Sequence, residues 1–241
     1  MEPEVLSHKV RLVFEINSEC DLSGVKLALE DAEKAEILFN GERIANTAVG
    51  YYVDECYKTV ALPNIKEGKN TLDVTLPCGM TTNTEWCYLI GDFDVKASGA
   101  MTTLLPPSDE ITFGSITTQG LPFYGGILTY KIEIDVPDCD LRLHANRYRG
   151  AMVKIRIDGE EKGCIVYEPY TLKADGIKAG RHTVEFTVYL SRYNTFGSMH
   201  NISDNNWIGP NHWYSNDDKW CYEYVLKDAG ILASPVIEIL E

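Results

Sequence analysis

The chain has 241 residues, of which 44% are hydrophobic and 10% aromatic. That is enough apolar surface for one large core or two smaller ones, and too much for an unfolded polar chain. Its 36 acids against 22 bases give a formal net charge of −14, which repels polyanions and argues against nucleic acid as a partner.

No apolar run approaches the ~20 residues of a membrane-spanning helix, so no membrane is expected as a partner. The start, Met1-Glu-Pro-Glu4, is acidic where a signal peptide would be basic. Seven cysteines, at 20, 56, 78, 87, 139, 164 and 221, are odd in number and lack CxxC spacing. Neither a zinc ribbon nor a fully paired disulfide framework fits them, so most are expected as reduced thiols in a cytoplasmic setting. A Cys78–Cys87 bridge and an excised fragment of a longer chain both stay open.

Helical periodicity is nearly absent, and short alternating runs recur instead. Val10–Ile16, Val25–Leu29 and Ala35–Phe39 come first. Asn40-Gly41 follows at once, a strong signal for a two-residue hairpin. Thr71–Leu76 and Tyr88–Val95 complete the first set. Leu105-Pro-Pro-Ser-Asp109 then breaks the pattern, and Ala97–Asp109 reads as a linker. The second set is Thr129–Val136, Leu141–Ala145, Met152–Ile157 with Asp158-Gly159 after it, Thr183–Leu190 and Cys221–Leu226.

The order of signals repeats. Asn40-Gly41-Glu42 corresponds to Asp158-Gly159-Glu160, Ile65–Asn70 to Ile177–His182, and more loosely Glu85–Tyr88 to Lys219–Tyr222. Spacings well above 100 residues mean duplicated domains rather than a solenoid. The reading is all-β: a first β-sandwich over 1–100 and a second over 101–241, each of about eight strands.

Three runs carry a family resemblance: Gln119–Gly126, Arg147–Val153 and Arg192–Asn201. With Leu27–Asp31, Gly50–Asp54 and Tyr88–Phe93, they resemble the C-terminal accessory regions of large bacterial glycoside-hydrolase-like proteins. The resemblance covers nearly the whole chain. It implies tandem jelly rolls of galactose-binding-like type beside a catalytic barrel that this sequence lacks, and it brings no established ligand residues with it.

Sugar recognition needs an aromatic face for the C–H side of the ring and fixed polar groups for its hydroxyls. Two segments supply both. One holds Arg192, Tyr193, Asn194, Phe196, His200 and Asn201; the other is the Asp204–Trp220 stretch, with Trp207, Asn211, His212, Trp213, Tyr214, Asn216 and Asp218. The competing reading is that these rings plug the end of a sandwich. Tyr124, in Phe123-Tyr-Gly-Gly126, is a further ligand candidate, with a bulge before the next strand as its alternative. Tyr51, Tyr52, Asp54 and Trp86 could form an analogous face, for which domain packing is the favoured account.

No catalytic residue is assigned. Asp92/Asp94 and Asp217/Asp218 do not by themselves make the facing carboxylates of glycoside hydrolysis. Ser198 with His200 is no nucleophile elbow, and Arg192, Tyr193 and His200 as an elimination set rest on residue type alone. Asp135, Asp138 and Asp140 could offer oxygens to a structural Ca²⁺, whereas Asp204–Gly209 departs from an EF-hand loop. No cofactor is otherwise expected. Asn201-Ile-Ser203 is a glycosylation sequon, relevant only in a secretory host.

The expected role is therefore non-catalytic: an accessory module that binds a neutral carbohydrate or packs against the missing catalytic domain. A stand-alone glycoside hydrolase or polysaccharide lyase is the rival, and a structural spacer the third reading.

Overall fold

The computed structural model describes residues 6, 8–80, 82, 87–202 and 219–240. Trp86, Trp207, His212, Trp213, Asp217 and Asp218 lie outside them. The chain is all-β and divides into two compact units: Met1–Lys96 with Thr102–Ser108, and Ala97–Met101 with Asp109–Glu241. No helix among the described residues is long and apolar enough to cross a membrane.

The first unit contains β1 (His8–Ser18), β2 (Lys26–Glu30), β3 (Glu36–Phe39), β4 (Glu42–Ile44), β5 (Ala48–Tyr52), β6 (Asp54–Ala61), β7 (Gly68–Cys78) and β8 (Tyr88–Ile90). Two further strands follow, β9 (Asp94–Ser98) and β10 (Met101–Leu105). One sheet runs β4-β3-β7-β1-β10-β9 and the other β5-β6-β2-β8. The alternation read in the sequence turns Ile37 and Phe39 of β3 and Leu72, Val74 and Leu76 of β7 inward. There they meet Leu27 and Leu29 of β2 and Val60 of β6 in one core.

The second unit contains β11 (Ile127–Val136), β12 (Cys139–His144), β13 (Tyr148–Arg149), β14 (Met152–Ile157), β15 (Glu160–Ile165), β16 (Thr171–Ile177) and β17 (Gly180–Tyr189). A single helical turn, α1 (Tyr193–Phe196), and the strands β18 (Gly230–Ile231) and β19 (Val236–Leu240) complete it. Its sheets run β11-β17-β14-β15 and β16-β12-β19. Ile155, Val184, Phe186 and Val188 from the first meet Leu141, Leu143 and Ala174 from the second.

The two units share a plan. The order β4-β3-β7-β1 is matched by β15-β14-β17-β11. β2, flanked by β6 and β8, is matched by β12, flanked by β16 and β19. The duplication reaches individual bonds. Asn40 and Asp158 each adopt positive φ before a glycine that does the same, closing two-residue hairpins. Asn40 Oδ1 accepts the Thr71 amide at 2.8 Å, and Asp158 Oδ1 accepts the Thr183 amide at 2.9 Å. Asp21 Oδ1 accepts the Glu67 amide, and Asp138 Oδ1 accepts the Ala179 amide. Each of those two aspartates also faces a lysine, Lys66 or Lys178.

Four sequence expectations are corrected. Tyr88–Val95 is not one strand, because Gly91 and Asp92 bend the chain between β8 and β9. Ala97–Asp109 is not a linker: its residues 101–105 form β10, which runs parallel to β1 through Asn17↔Thr103 and sinks Leu104 into the first core. Cys221–Leu226 is not a strand. Its amides go to separate carbonyls instead, Cys221 N–H to that of His200, Val225 N–H to that of Met199 and Tyr224 N–H to that of Gly99. The loose match of Glu85–Tyr88 to Lys219–Tyr222 also fails, since Tyr88 opens β8 whereas Tyr222 lies in a bend.

All seven cysteines are free. Cys20 and Cys87 pack on the first core and Cys139 on the second.

Candidate functional site

Three segments of the second unit converge: Phe123–Gly126, α1 with the turn to Asn201, and Trp220–Lys227. Their convergence explains the first of the paired glycines, whereas a Cβ on Gly126 would meet the Tyr124 ring. A Cβ on Gly125 would meet Thr195 Oγ1 at 2.6 Å and the Arg192 backbone at 3.1 Å, so the close approach there is to α1. Thr195 Oγ1 donates to the Phe123 carbonyl at 2.8 Å, which ties the two segments together.

Asn194 is the main clamp on the third segment. It is buried; its Nδ2 donates to the Lys227 carbonyl at 2.7 Å and its Oδ1 accepts the Lys227 amide at 2.9 Å. Both ends of one amide thus satisfy one backbone residue, as a buried amide requires. Asn201 is also buried and pairs with Trp220 in an isolated antiparallel bridge. Asn194 therefore holds the third segment through its side chain, and Asn201 joins it through its backbone.

On this frame lies a chain of rings. Phe123 meets Tyr224 edge-on at 5.1 Å, Tyr224 meets His200 at 4.7 Å, and His200 meets Trp220 at 5.9 Å. Trp220 and Tyr222 stand edge to face at 4.4 Å. The inner end is closed, and burial pushes the Tyr224 phenol up. The outer end is open: Trp220 is 39% and Tyr222 73% exposed. His200 Nδ1 lies 3.2 Å from the Glu223 carbonyl. A carbonyl can only accept, so Nδ1 carries a proton.

The other candidates sit nearby or elsewhere. Tyr193, on α1, receives the Lys227 ammonium over its ring at 5.6 Å. Arg192 is exposed at the N-terminal edge of that turn. Tyr124 is exposed and its hydroxyl donates to the Ile127 carbonyl at 3.0 Å. Trp207, His212, Trp213 and Asp218 lie outside the described residues. In the first unit, Tyr52 and Tyr57 each lie 5.8 Å from Tyr88, while Tyr51 is 60% exposed.

Trp220 ends the Asp204–Trp220 stretch expected at the site, whereas Tyr222 and Tyr224 fall in the Cys221–Leu226 run expected as a strand; the three rings come together in an irregular segment instead.

Two of the three aspartates weighed for Ca²⁺, Asp138 and Asp140, meet protein donors. Asp140 takes the Lys173 ammonium and the Gly176 amide, each at 2.8 Å. Among the described residues, no group of three His, Cys, Asp or Glu side chains is placed to hold a metal ion.

No family model matches the chain, and no curated protein does. Among solved structures, a rhamnosidase from Novosphingobium sp. PP1Y is similar at 14% identity and a TM-score of 0.36, over 94% of this chain and 22% of its own. An anti-sigma factor domain-containing protein from Clostridium clariflavum is similar at 13% identity and a TM-score of 0.20, over 76% of this chain and 75% of its own. The chain spans about a fifth of the length of the rhamnosidase it matches.

Proposed function

We propose that this chain is a non-catalytic, carbohydrate-binding accessory module of a glycoside-hydrolase-like protein, formed of two tandem jelly-roll sandwiches of galactose-binding-like type. The observation that carries the binding role is the open end of the ring chain. Trp220 and Tyr222 present aromatic faces to solvent on a frame locked by Asn194 and Thr195. Exposed, rigidly held rings beside amide and imidazole groups suit the apolar face and the hydroxyls of a neutral sugar. Trp207, His212, Trp213 and Asp218 are proposed as further contacts.

The jelly-roll reading draws on the sequence resemblance and on the core that two sheets enclose in each unit. Isothermal titration against a panel of neutral oligosaccharides tests the function. Trp220→Ala and Tyr222→Ala are each expected to weaken binding about two- to tenfold, the size of an aromatic contact. Binding that survives both variants unchanged would move the site away from the rings. A wild-type protein that binds none of the sugars would overturn the binding role and favour packing against a catalytic domain.

A further inference from the structure

The outer face of the sheet β11-β17-β14 forms a groove of about 370 Å³, lined by Ile127, Thr129, Lys131, Lys154, Arg156, Glu185, Thr187 and Tyr189. The register explains why these side chains meet. Thr129, Thr187 and Lys154 form one row across the three strands, and Lys131, Glu185 and Arg156 the next. The residues between them, Tyr130, Phe186 and Ile155, point into the core.

The groove holds three cations and one carboxylate, in a chain whose net charge is −14. Lys131 is paired with Glu185 at 3.0 Å, and Lys154 with Glu161 of β15 at 3.0 Å. Arg156 has no carboxylate partner among the described residues. It is exposed, opposite Glu185 of β17 and Glu161 of β15 in register, and one row from the linked hydroxyls of Thr129 and Thr187, 2.9 Å apart. Tyr189 stands in the next row beyond, between Ile127 and Met152.

We infer that this groove is a second binding site, for the carboxylate-bearing residue of an acidic oligosaccharide. The unpaired Arg156 fork takes the carboxylate in a bidentate pair, which a planar guanidinium matches better than an ammonium does. The hydroxyls of Thr129 and Thr187 and the Glu185 carboxylate take sugar hydroxyls, and Tyr189 offers a ring to the C–H face. The identity of the ligand as a sugar rests on the carbohydrate reading above, but the site is separate from the ring chain and charged where that site is neutral.

The test uses the full chain and a panel of oligouronates, each beside its carboxyl-reduced neutral counterpart. The oligouronate is expected to bind the groove, and its reduced counterpart to bind there, as read from the amide shifts of groove residues, at least about tenfold more weakly, as loss of a charge-assisted pair implies. Arg156→Gln should reproduce that loss and Arg156→Lys part of it. Arg142→Gln, which removes the same charge from β12, should leave oligouronate binding unchanged. In the wild-type protein, amide shifts on titration should centre on Lys154, Arg156, Thr187 and Tyr189, a readout that needs no variant to fold. Oligouronate binding unchanged in Arg156→Gln, shifts centred elsewhere, or no oligouronate binding would overturn the second site. Neutral sugars tested with Trp220→Ala report separately on the ring chain, so the two readings fail independently.

Discussion

Cys56 is exposed at the surface of β6, and exposure alone would make it a reactive thiol. Its surroundings oppose that. The sulfur lies 3.6 Å from Glu30 Oε1, and Asp54 Oδ1 accepts the Cys56 amide at 3.0 Å. Hydrogen bonding to Asp54 comes first, then desolvation and the charges of both carboxylates, and together they push the Cys56 thiol up to about 11. Thiolate is the reacting species. Iodoacetamide at pH 8.5 should therefore modify Cys56 slowly, and Asp54→Asn should raise its rate about tenfold or more. Peptide mass spectrometry over a time course reads this; equal rates in the two proteins would show that the carboxylates do not control the thiol. The sequence places Asp54 two residues from Cys56, but Glu30 reaches it only through the pairing of β2 with β6. Local spacing therefore gave half of this environment and register the other half.

At the scale of elements, the two hairpins are the same device built from different chemistry. In the first, Asn40 Nδ2 donates to Asn70 Oδ1 at 3.0 Å. In the second, His182 Nδ1 meets Asp158 Oδ2 at 2.6 Å and its Nε2 meets the Lys178 carbonyl at 2.8 Å. Both ring nitrogens face acceptors, so the imidazolium is favoured: His182 is held above its ordinary value, with the Asp158 bond first and the Lys178 carbonyl next. Asp158 is held below the usual carboxylate range, by His182 first and the Thr183 amide next. A raised histidine contributes stability that is full below its unfolded value of ~6.5 and is lost as pH rises through the folded value. The depressed aspartate contributes stability above its unfolded value of ~3.9 that is lost as pH falls through the folded one. The pair thus acts between those limits, and the exposure of Asp158 keeps the effect small. Thermal melts from pH 5 to 9 should show a loss of stability at the alkaline end that the double variant Asp158→Asn, His182→Asn removes. A double variant that keeps the wild-type slope would locate the titrating group elsewhere. The hairpins themselves were legible because Asn-Gly and Asp-Gly declare their turns locally. Cys221–Leu226 differs because an alternating Tyr222-Glu223-Tyr224 pattern also arises where an irregular segment supplies rings to a cluster. β10 was missed because Pro106 and Pro107 mark the end of a strand as readily as a linker.

At the scale of the molecule, composition and local charge point in opposite directions. The net charge of −14 suggested a neutral ligand, yet the pairing of β11, β17 and β14 gathers Lys131, Lys154 and Arg156 on one face. An average over 241 residues cannot contain that, since residues 131 and 156 become neighbours only through β17. The two fields also act over different distances. Long-range repulsion by the whole chain reaches as far as the Debye length, about 30 Å at 0.01 M salt and about 10 Å at 0.1 M, whereas the Arg156 fork acts at contact. Raising salt over that range should therefore speed the association of an anionic oligosaccharide by screening the repulsion, and should also speed its dissociation by weakening the ion pair. Stopped-flow or surface-plasmon rates at several salt concentrations separate the two effects. In Arg156→Gln the association rate should still rise with salt, because the net charge remains, while the salt dependence of dissociation should flatten. A wild-type association rate that falls steadily with salt would mean that the groove, and not the net charge, governs the approach of the ligand.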